Sequence, residues 1–509
     1  MSELVNKIKK YVTKSSTTER PSYMEDIDAM GMFSAAMELL DKYRDVKNSY
    51  KNLDQSQISD ENDIKGLESY LTQTLIKMID KNDNITMYNN SKEQSYTLGM
   101  YAAKLGLEKV ALRTMDNPHS LNVINDTYQN IGMVGCLYGL ESVALKALDY
   151  PLARTVQDSE EKTLGMYCAD AGFETATLKA LDFEDSYLLQ DNENKNILMH
   201  CFYNNKKPLI EPLKKAFTRR IETSMPFDNG YLPYRELLVQ TDRLGYNVGS
   251  YLIQNLKFVK DKNEVSDYEN MILESVTDDE LATNQDILMK YNNGMLAASI
   301  PCKPYIISRA ILNKQAALQQ DYKGDNIAMN AAKNCVDASV IKLALQNPES
   351  CRQQNEDGDN LGMLCAKNKY PREILTPLLK DGVVCTQMNN EEYNMGMLCV
   401  LYDAPEDVVT ISLENEFARS QQDKDGDTIG LLAAKFDLHE AAKSALDYTD
   451  SSFIKNNNGE SLFDYIEITP EDANRIHIKQ VMSMIGKNIK EFDLDIDQPD
   501  TSTEMETEN

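Results

Sequence analysis

The chain has 509 residues and a formal net charge of −28, from 81 acidic and 53 basic residues. This balance argues against nucleic acid or an anionic membrane as the main partner, and it favours a basic partner or simply solubility. The nine cysteines are odd in number and predict free thiols in a reducing, cytoplasmic compartment. No run approaches about 18 apolar residues, so the sequence predicts no membrane span.

Residues 1–60 are predicted to form an atypical N-terminal helical segment. Met1–Ser15 is amphipathic and lacks the apolar core of a signal peptide. We expect it to dock on the helices that follow, with contact to a membrane surface as the alternative. Gly31–Met32 and Gly66–Leu67 are interpreted as two decayed copies of a Gly-Met word that becomes regular further on.

The first regular block covers 61–205. Its clearest copies begin at Thr97, Asn130 and Thr163 and run for about 20 residues each. The aligned glycine of each Gly-Met pair recurs at one constant spacing, at Gly99, Gly132 and Gly165, with Leu198 as the next member. A register this regular, with a period of ~33, predicts a repeat protein.

Each copy has the same order of features. A polar turn precedes a Thr or Asn, which are residue types that cap helices, and a short apolar run follows. A glycine such as Gly106 or Gly172 then breaks the helix before a second run with helical apolar spacing. The order predicts two short antiparallel helices, which become stable only by stacking on neighbouring copies.

The Gly-Met motif of the repeats is absent from 206–290. The interval from Leu198 to Gly294 is close to three periods, which favours two degenerate units with helices near 231–258 and 265–291. The alternatives are a break between two arrays, a partner site, or an embedded catalytic or nucleic-acid-binding module. These alternatives depend on a local basic patch: Lys206, Lys207, Lys214, Lys215, Arg219 and Arg220.

The second block and its C-terminal cap cover 291–468. Its register is again constant, through Gly294, Ala328, Gly362, Gly396 and Gly430, with a step one position longer than in the first block. Residues 469–490 are predicted to form a terminal helix, with Pro470 in its first turn. The acidic tail 491–509 is predicted to be disordered. It could shield the basic patch in cis.

The unit resembles the ankyrin repeat. Gly426, Thr428, Ala433 and Ala434 match the turn glycine, the Thr and the paired small residues of that family. The family's Pro-Leu-His after the Thr is replaced here by Ile/Leu-Gly-Met. The resemblance implies an all-α fold, an ankyrin-like α-solenoid of stacked helix-turn-helix repeats with short loops. It also implies a non-enzymatic protein–protein interaction scaffold that binds a partner protein along its concave face and loop tips.

In ankyrin-like arrays the loop position just before the capping residue faces partners. We therefore expect eight partner-binding residues, with solvated turn residues as the alternative interpretation. In the first block they are Tyr96, Gln129, Lys162 and Lys195, and in the second Asp325, Asp359, Tyr393 and Asp427.

Two columns of sulfur-containing residues follow the register. Cysteine recurs opposite alanine at one position, which predicts core packing rather than nucleophiles. Methionine follows the glycine in most copies and is interpreted as core filler, with a soft-metal or adaptable binding surface as the alternative.

The four histidines lie far apart in sequence, and Asp423–Asp427 lacks the full spacing of a calcium loop. We expect no metal, no cofactor and no enzymatic activity. A narrower hypothesis is a host-directed protein of a bacterium, virus or parasite, delivered into a host cell.

Overall fold

The computed structural model describes residues 25–51, 61–90, 95–202, 208–222, 233–256, 259, 262–277, 282–283, 292–300 and 302–467. The chain divides into two compact units, Met1–Ser275 and Val276–Asn509. The amphipathic segment Met1–Ser15, the terminal helix 469–490 and the acidic tail 491–509 lie outside the described residues.

The first unit opens with two long helices, Glu25–Lys51 and Glu61–Lys81. The glycine register therefore does not extend to Gly31 and Gly66, although the two long helices pack as a pair on the two helices of the first repeat. A Cβ added at either glycine would meet nothing within 4 Å, so neither makes the close contact that the repeat glycines make. The Nζ of Lys47 donates a 2.6 Å hydrogen bond to the carbonyl of Leu105, which anchors the long helices to the first repeat.

A short connection leads from these helices into the repeats. It contains the 3₁₀ helix Asp83–Met87 and an antiparallel ribbon in which Asn89–Asn90 pairs with Tyr96–Thr97.

Helix pairs then recur, and nearly all described elements are helical. The first helices of the pairs are Leu98–Lys104, Ile131–Leu137, Leu164–Ala171, Ile197–His200 and Val248–Asn255 in the first unit, and Asn293–Ser299, Ile327–Lys333, Leu361–Lys367, Met395–Leu401 and Ile429–Lys435 in the second. The second helices are Glu108–Thr114, Glu141–Leu148, Glu174–Ala180, Ile210–Glu222, Lys262–Thr277, Pro304–Leu312, Ala338–Ala344, Arg372–Lys380, Glu406–Ser412 and His439–Ala445.

Short helical turns connect most second helices to the next loop. They are Pro118–Asn122, Pro151–Thr155, Glu184–Tyr187, Pro233–Val239, Lys314–Leu318, Pro348–Arg352 and Glu416–Ser420. The second unit closes on the 3₁₀ helix Leu462–Asp464, in the predicted capping region.

The first helices begin and end where the sequence indicates. The hydroxyl of Thr97 accepts the amide of Met100 at 3.2 Å, and the side chain of Asn360 accepts the amide of Met363 at 3.0 Å. These bonds satisfy N–H groups that the helix itself leaves open. Gly172 ends its helix at a φ of 78°, a left-handed conformation that favours glycine.

The register glycines are contact points between layers. A Cβ on Gly132 would lie 2.6 Å from the Cβ of Ala147 and 2.9 Å from Leu164 of the next repeat. A Cβ on Gly165 would lie 3.1 Å from Ala180 and 2.8 Å from Ile197 in the same way. The two glycines occupy equivalent places in adjoining layers, which confirms the repeat interpretation. In most repeats, the apolar residue at the start of the first helix fills the space that the preceding repeat's glycine leaves open.

One further repeat lies hidden inside 206–290. The amide of Asn196 donates to the Leu237 carbonyl and to Gln240, at sequence separations of 41 and 44 residues. The equivalent bonds of Asn326 span 24 and 27 residues, so this copy carries an insertion. Two helices, Pro233–Val239 and Val248–Asn255, lie within the predicted range 231–258, with a turn and a helix cap at Asp242–Asn247 between them. In the second predicted range, 265–291, the structure describes the helix Lys262–Thr277, and most of 278–291 lies outside the described residues.

Candidate functional site

The loop before most of the first helices is held by one Asn or Asp side chain. Its Oδ1 accepts the backbone amides two and four residues further along, at 2.8–3.1 Å. Such Asx turns fix the backbone locally. They occur at Asn125, Asp158, Asp191, Asp242, Asp321, Asn355, Asn389, Asp423 and Asn456.

Hydrogen bonds also join one loop to the next, and we call them the tip ladder. The amide of Glu356 donates to the carbonyl of Lys323 at 2.8 Å, and the amide of Asn390 donates to the carbonyl of Asp357 at 2.9 Å. A glutamine before the turn adds a second link, since Gln354 donates to the carbonyl of Met388 at 2.9 Å. The loops of a unit are therefore held at fixed positions relative to their neighbours.

The three acidic residues predicted to face partners are instead buried in this network. Asp359 is 2% exposed. Its Oδ1 accepts the amide of Asn389 at 2.9 Å, and its Oδ2 accepts the ammonium of Lys367 at 2.5 Å. Asp325 and Asp427 are held in the same way by the next turn's asparagine and by a lysine of their own first helix: Asn355 with Lys333, and Asn456 with Lys435. These carboxylates link repeats, and contact with a partner through them stays a prediction.

The residue before the cap is matched to the turn residue of the following repeat. Where that turn residue is Asn in the second unit, the facing residue is Asp, because the amide N–H can donate to a carboxylate. Where it is Asp, a facing carboxylate would be repelled, and the residue is not acidic. The pairs in which the residue before the cap is not acidic are Gln129 with Asp158, Lys162 with Asp191, Lys195 with Asp242 and Tyr393 with Asp423. Comparing each residue before a cap with the turn residue of the following copy would have shown this signal in the sequence.

The other predicted residues are more varied. Tyr96 is buried, stacks on Tyr101 with ring centroids 6.5 Å apart, and has the Lys104 ammonium 5.0 Å from its ring. Gln129 donates to the hydroxyl of Tyr167 at 2.8 Å.

Lys162 and Lys195 are only partly exposed, and each forms an ion pair with the glutamate two residues before it. Tyr393 is half-buried.

The side chains exposed at the loop tips are neighbours of the predicted residues. Two or three side chains project from each tip. In the first unit they are Asp126, Tyr128, Ser159, Glu160, Glu161, Asn192, Glu193, Asn194, Arg243 and Leu244, and in the second Tyr322, Lys323, Glu356, Asp357, Asn390, Glu391, Glu392, Lys424, Asp425, Asn457 and Asn458.

The order of turn, capped helix, left-handed break and second helix, repeated at a nearly constant period, is the ankyrin architecture. The repeats have the fold of ankyrin repeats. Among solved structures, the chain is similar to the ankyrin repeat domain of Bcl-3, which is described as a unique member of the IkappaB protein family. The sequence identity is 14% and the TM-score is 0.33. The match covers 46% of this chain and 96% of that one. No protein-family model and no curated protein matches the chain.

The sulfur columns of the ankyrin repeats lie in the core, as predicted. Eight of the nine cysteines are buried, and only Cys335 is exposed. Burial raises the pKa of Cys399 to about 12, so that thiol stays neutral. The column methionines are fully buried: Met100, Met133, Met166, Met199, Met295, Met329, Met363 and Met397.

His200 is a buried ionisable group that sequence reasoning did not single out. Its Nδ1 lies 2.8 Å from Asp170 of the preceding repeat, and its Nε2 lies 3.0 Å from Asp191. Burial alone would lower the pKa of His200, but hydrogen bonds to the two carboxylates raise it above the ordinary value. Lys162 approaches the same Asp170 at 3.7 Å. The imidazolium therefore links two ankyrin repeats.

The basic patch of 206–290 is partly taken up by repeat contacts. Lys215 donates to the Leu178 carbonyl at 2.9 Å and pairs with Asp182 at 2.7 Å. Lys179 makes the same two bonds one repeat earlier, to Leu145 and Asp149. Lys215 is thus a stacking residue of the ankyrin array. Lys206, Lys207 and the side chains of Arg219 and Arg220 lie outside the described part of the chain.

Within the described ranges, no group of three or more His, Cys, Asp or Glu residues is placed to hold a metal ion. A search of the same residues for a helix long and apolar enough to cross a membrane found none.

Proposed function

We propose that the chain is a protein-interaction scaffold that binds a partner protein through its exposed loop tips and the adjoining ends of the first helices. One contrast supports this proposal. The buried residues of the loops repeat from copy to copy, whereas the exposed tip residues differ, as with Tyr322–Lys323 against Glu356–Asp357. A rigid framework with changing exposed side chains suits recognition of an extended surface.

Aromatic side chains extend this surface at the ends of the first helices. Tyr402 is 39% exposed and Phe436 is 51% exposed, at equivalent positions of adjacent repeats. Exposed aromatic residues provide large contact areas at protein interfaces. The free thiols further support a reducing, cytoplasmic compartment.

The proposal is tested by hydrogen–deuterium exchange on the intact chain with and without a captured partner. We expect the partner to protect loop tips and first-helix ends. Charge-reversal of the exposed Glu356 and Asp357 should weaken capture, while the same change at the buried-network residue Asp359 should instead loosen the loop itself. Protection confined to the outer, second helices would contradict the proposal.

A further inference from the structure

The tip ladder has one opening in the second unit, between the loop Asn389–Tyr393 and the loop Asp423–Asp427. The ladder bond expected from the Lys424 amide to the Glu391 carbonyl is not formed, although both neighbouring steps have theirs. Met388 stands where Gln320, Gln354 and Gln422 each donate to the next loop. Among the described loop-to-loop contacts of this unit, this is the only one that lacks both the backbone hydrogen bond and the glutamine hydrogen bond.

The opening is confined to the tips. Deeper in the same step, Gln421 donates to the Thr386 carbonyl at 2.6 Å, and Asn394 donates to Gln421 at 2.9 Å, as in the other repeats. The helices therefore stack normally below two loops that are not tied together.

Both charged partners of the usual network are also replaced at this step. The neighbouring repeats pair Asp359 with Lys367 and Asp427 with Lys435. The equivalent positions here are Tyr393 and Leu401. No lysine of the repeat itself reaches this place.

Asp423 is left incompletely matched as a result. It is 6% exposed, and its Oδ1 accepts the amides of Asp425 and Asp427. No described residue donates to its Oδ2, whereas the Oδ2 of Asp321 accepts the amide of Asn330. This carboxylate oxygen has no donor among the described residues and can accept a hydrogen bond from an incoming group.

Negative charge from both loops surrounds the tyrosine. Burial, followed by the charges of Asp423, Asp425 and Glu391, raises the pKa of Tyr393. Glu392 adds a further exposed carboxylate at the tip. Such a field favours a cation beside the ring.

The chain itself shows which group fits this position. In the first unit Tyr96 stands at the equivalent of Tyr393, and Lys104, at the equivalent of Leu401, places its ammonium 5.0 Å from the ring centroid. At the repeat of Tyr393 the position of Lys104 is taken by Leu401, which provides no cation.

We propose that this opening receives an arginine or lysine side chain from a basic segment of the partner protein. The cation lies over the Tyr393 ring and donates to the free oxygen of Asp423, and Glu391 and Asp425 attract it electrostatically. The inference rests on the proposed scaffold function and specifies the partner's chemistry at one repeat.

The experiment uses the intact chain and an array of short peptides, each with one central arginine in a neutral background, paired with the same peptide carrying citrulline. Peptides that bind should lose about tenfold or more in affinity on the change to citrulline. Leu401→Lys should cause a similar loss, because the new lysine would occupy the place over Tyr393. Leu401→Gln introduces a long polar side chain without a charge, so the variant should still bind the arginine peptides. Asn192→Lys adds the same charge at an exposed tip of the first unit and should also bind them.

Lysine is tolerated at the equivalent positions 333, 367 and 435, so Leu401→Lys should fold, which circular dichroism verifies. Hydrogen exchange should show protection of residues 389–393 and 423–427 by the arginine peptides. Binding that is insensitive to citrulline, or an array without arginine-dependent binders, would overturn the inference. Arginine-dependent protection of other loop tips would also overturn it while leaving the scaffold function intact. A change of oligomeric state in Leu401→Lys would assign the opening to a second copy of the chain instead.

Discussion

The substitution Gly132→Ala tests why the repeats carry glycine after the capping residue. The new Cβ would lie 2.6 Å from the Cβ of Ala147. Carbon atoms pack at about 3.5–4.0 Å, so the two helices must separate by about 1 Å. Overpacking of this kind costs about 1–3 kcal/mol, whereas alanine gains about 1 kcal/mol over glycine in helix propensity. Taken together, these terms give a net destabilisation of about 0–2 kcal/mol.

A swap separates the steric effect from helix propensity. Ala147→Gly removes the opposing Cβ and loses about 1 kcal/mol of propensity by itself. In the double variant the propensity terms cancel and the contact with Ala147 is gone, while the 2.9 Å contact with Leu164 remains. We therefore expect the two changes to couple favourably by at least about 1 kcal/mol. Gly66→Ala is the matched control, because nothing lies within 4 Å of its added Cβ, and it should stabilise its helix.

The assay is native-state hydrogen exchange of the helix Ile131–Leu137, since repeat arrays open regionally. Gly132→Ala should raise the local opening constant or leave it nearly unchanged, and the swap should lower it about fivefold relative to the sum of the single effects. If Gly132→Ala protects its helix as Gly66→Ala does, and the double variant is merely additive, the steric explanation fails.

Three further predictions follow from the described contacts. Because the pKa of His200 is raised, its contribution to stability is complete below the unfolded pKa of about 6.5 and is lost as pH rises through the native pKa. The hydrogen-exchange rates of Ile197–His200 in the natural chain and in His200→Gln should therefore differ most in mild acid. Equal differences at acid and alkaline pH would contradict this. Native thiol labelling should modify one cysteine rapidly, and Cys335→Ser should abolish that fast phase, whereas several fast thiols would contradict the buried placement of the others. Asn389→Asp should destabilise its loop by about 1–3 kcal/mol at neutral pH because it turns a hydrogen bond to Asp359 into repulsion, with urea unfolding as the measure. Asn125→Asp, which faces no acidic residue before the preceding cap, should cost less, and an equal cost would refute the pairing explanation.

The sequence was sufficient for the helix-pair architecture because the cap, the glycine and the small residues act locally and recur at a fixed period. Thr97 and Asn360, for example, cap helices at the predicted positions. The extension of the glycine register to Gly31 and Gly66 was wrong because a glycine on a long helix looks the same in sequence as a glycine at a layer contact.

The candidate surface was harder to predict. Asp325, Asp359 and Asp427 look like solvent-facing loop residues, and their burial depends on asparagine donors in the following repeat. The copy around Asn247 could be placed only approximately within 206–290, because its bonding partners are separated by inserted residues, which hide the period.

The matching of Asp to the next repeat's Asn has a consequence for how such a chain can be rearranged. A copy excised from one place and grafted elsewhere would bring its own acidic or neutral residue against a neighbour with the wrong donor. Asp359 placed ahead of Asp423, for instance, would set two carboxylates against each other. The copies are thus not interchangeable modules, and recombination or design must exchange them as compatible pairs.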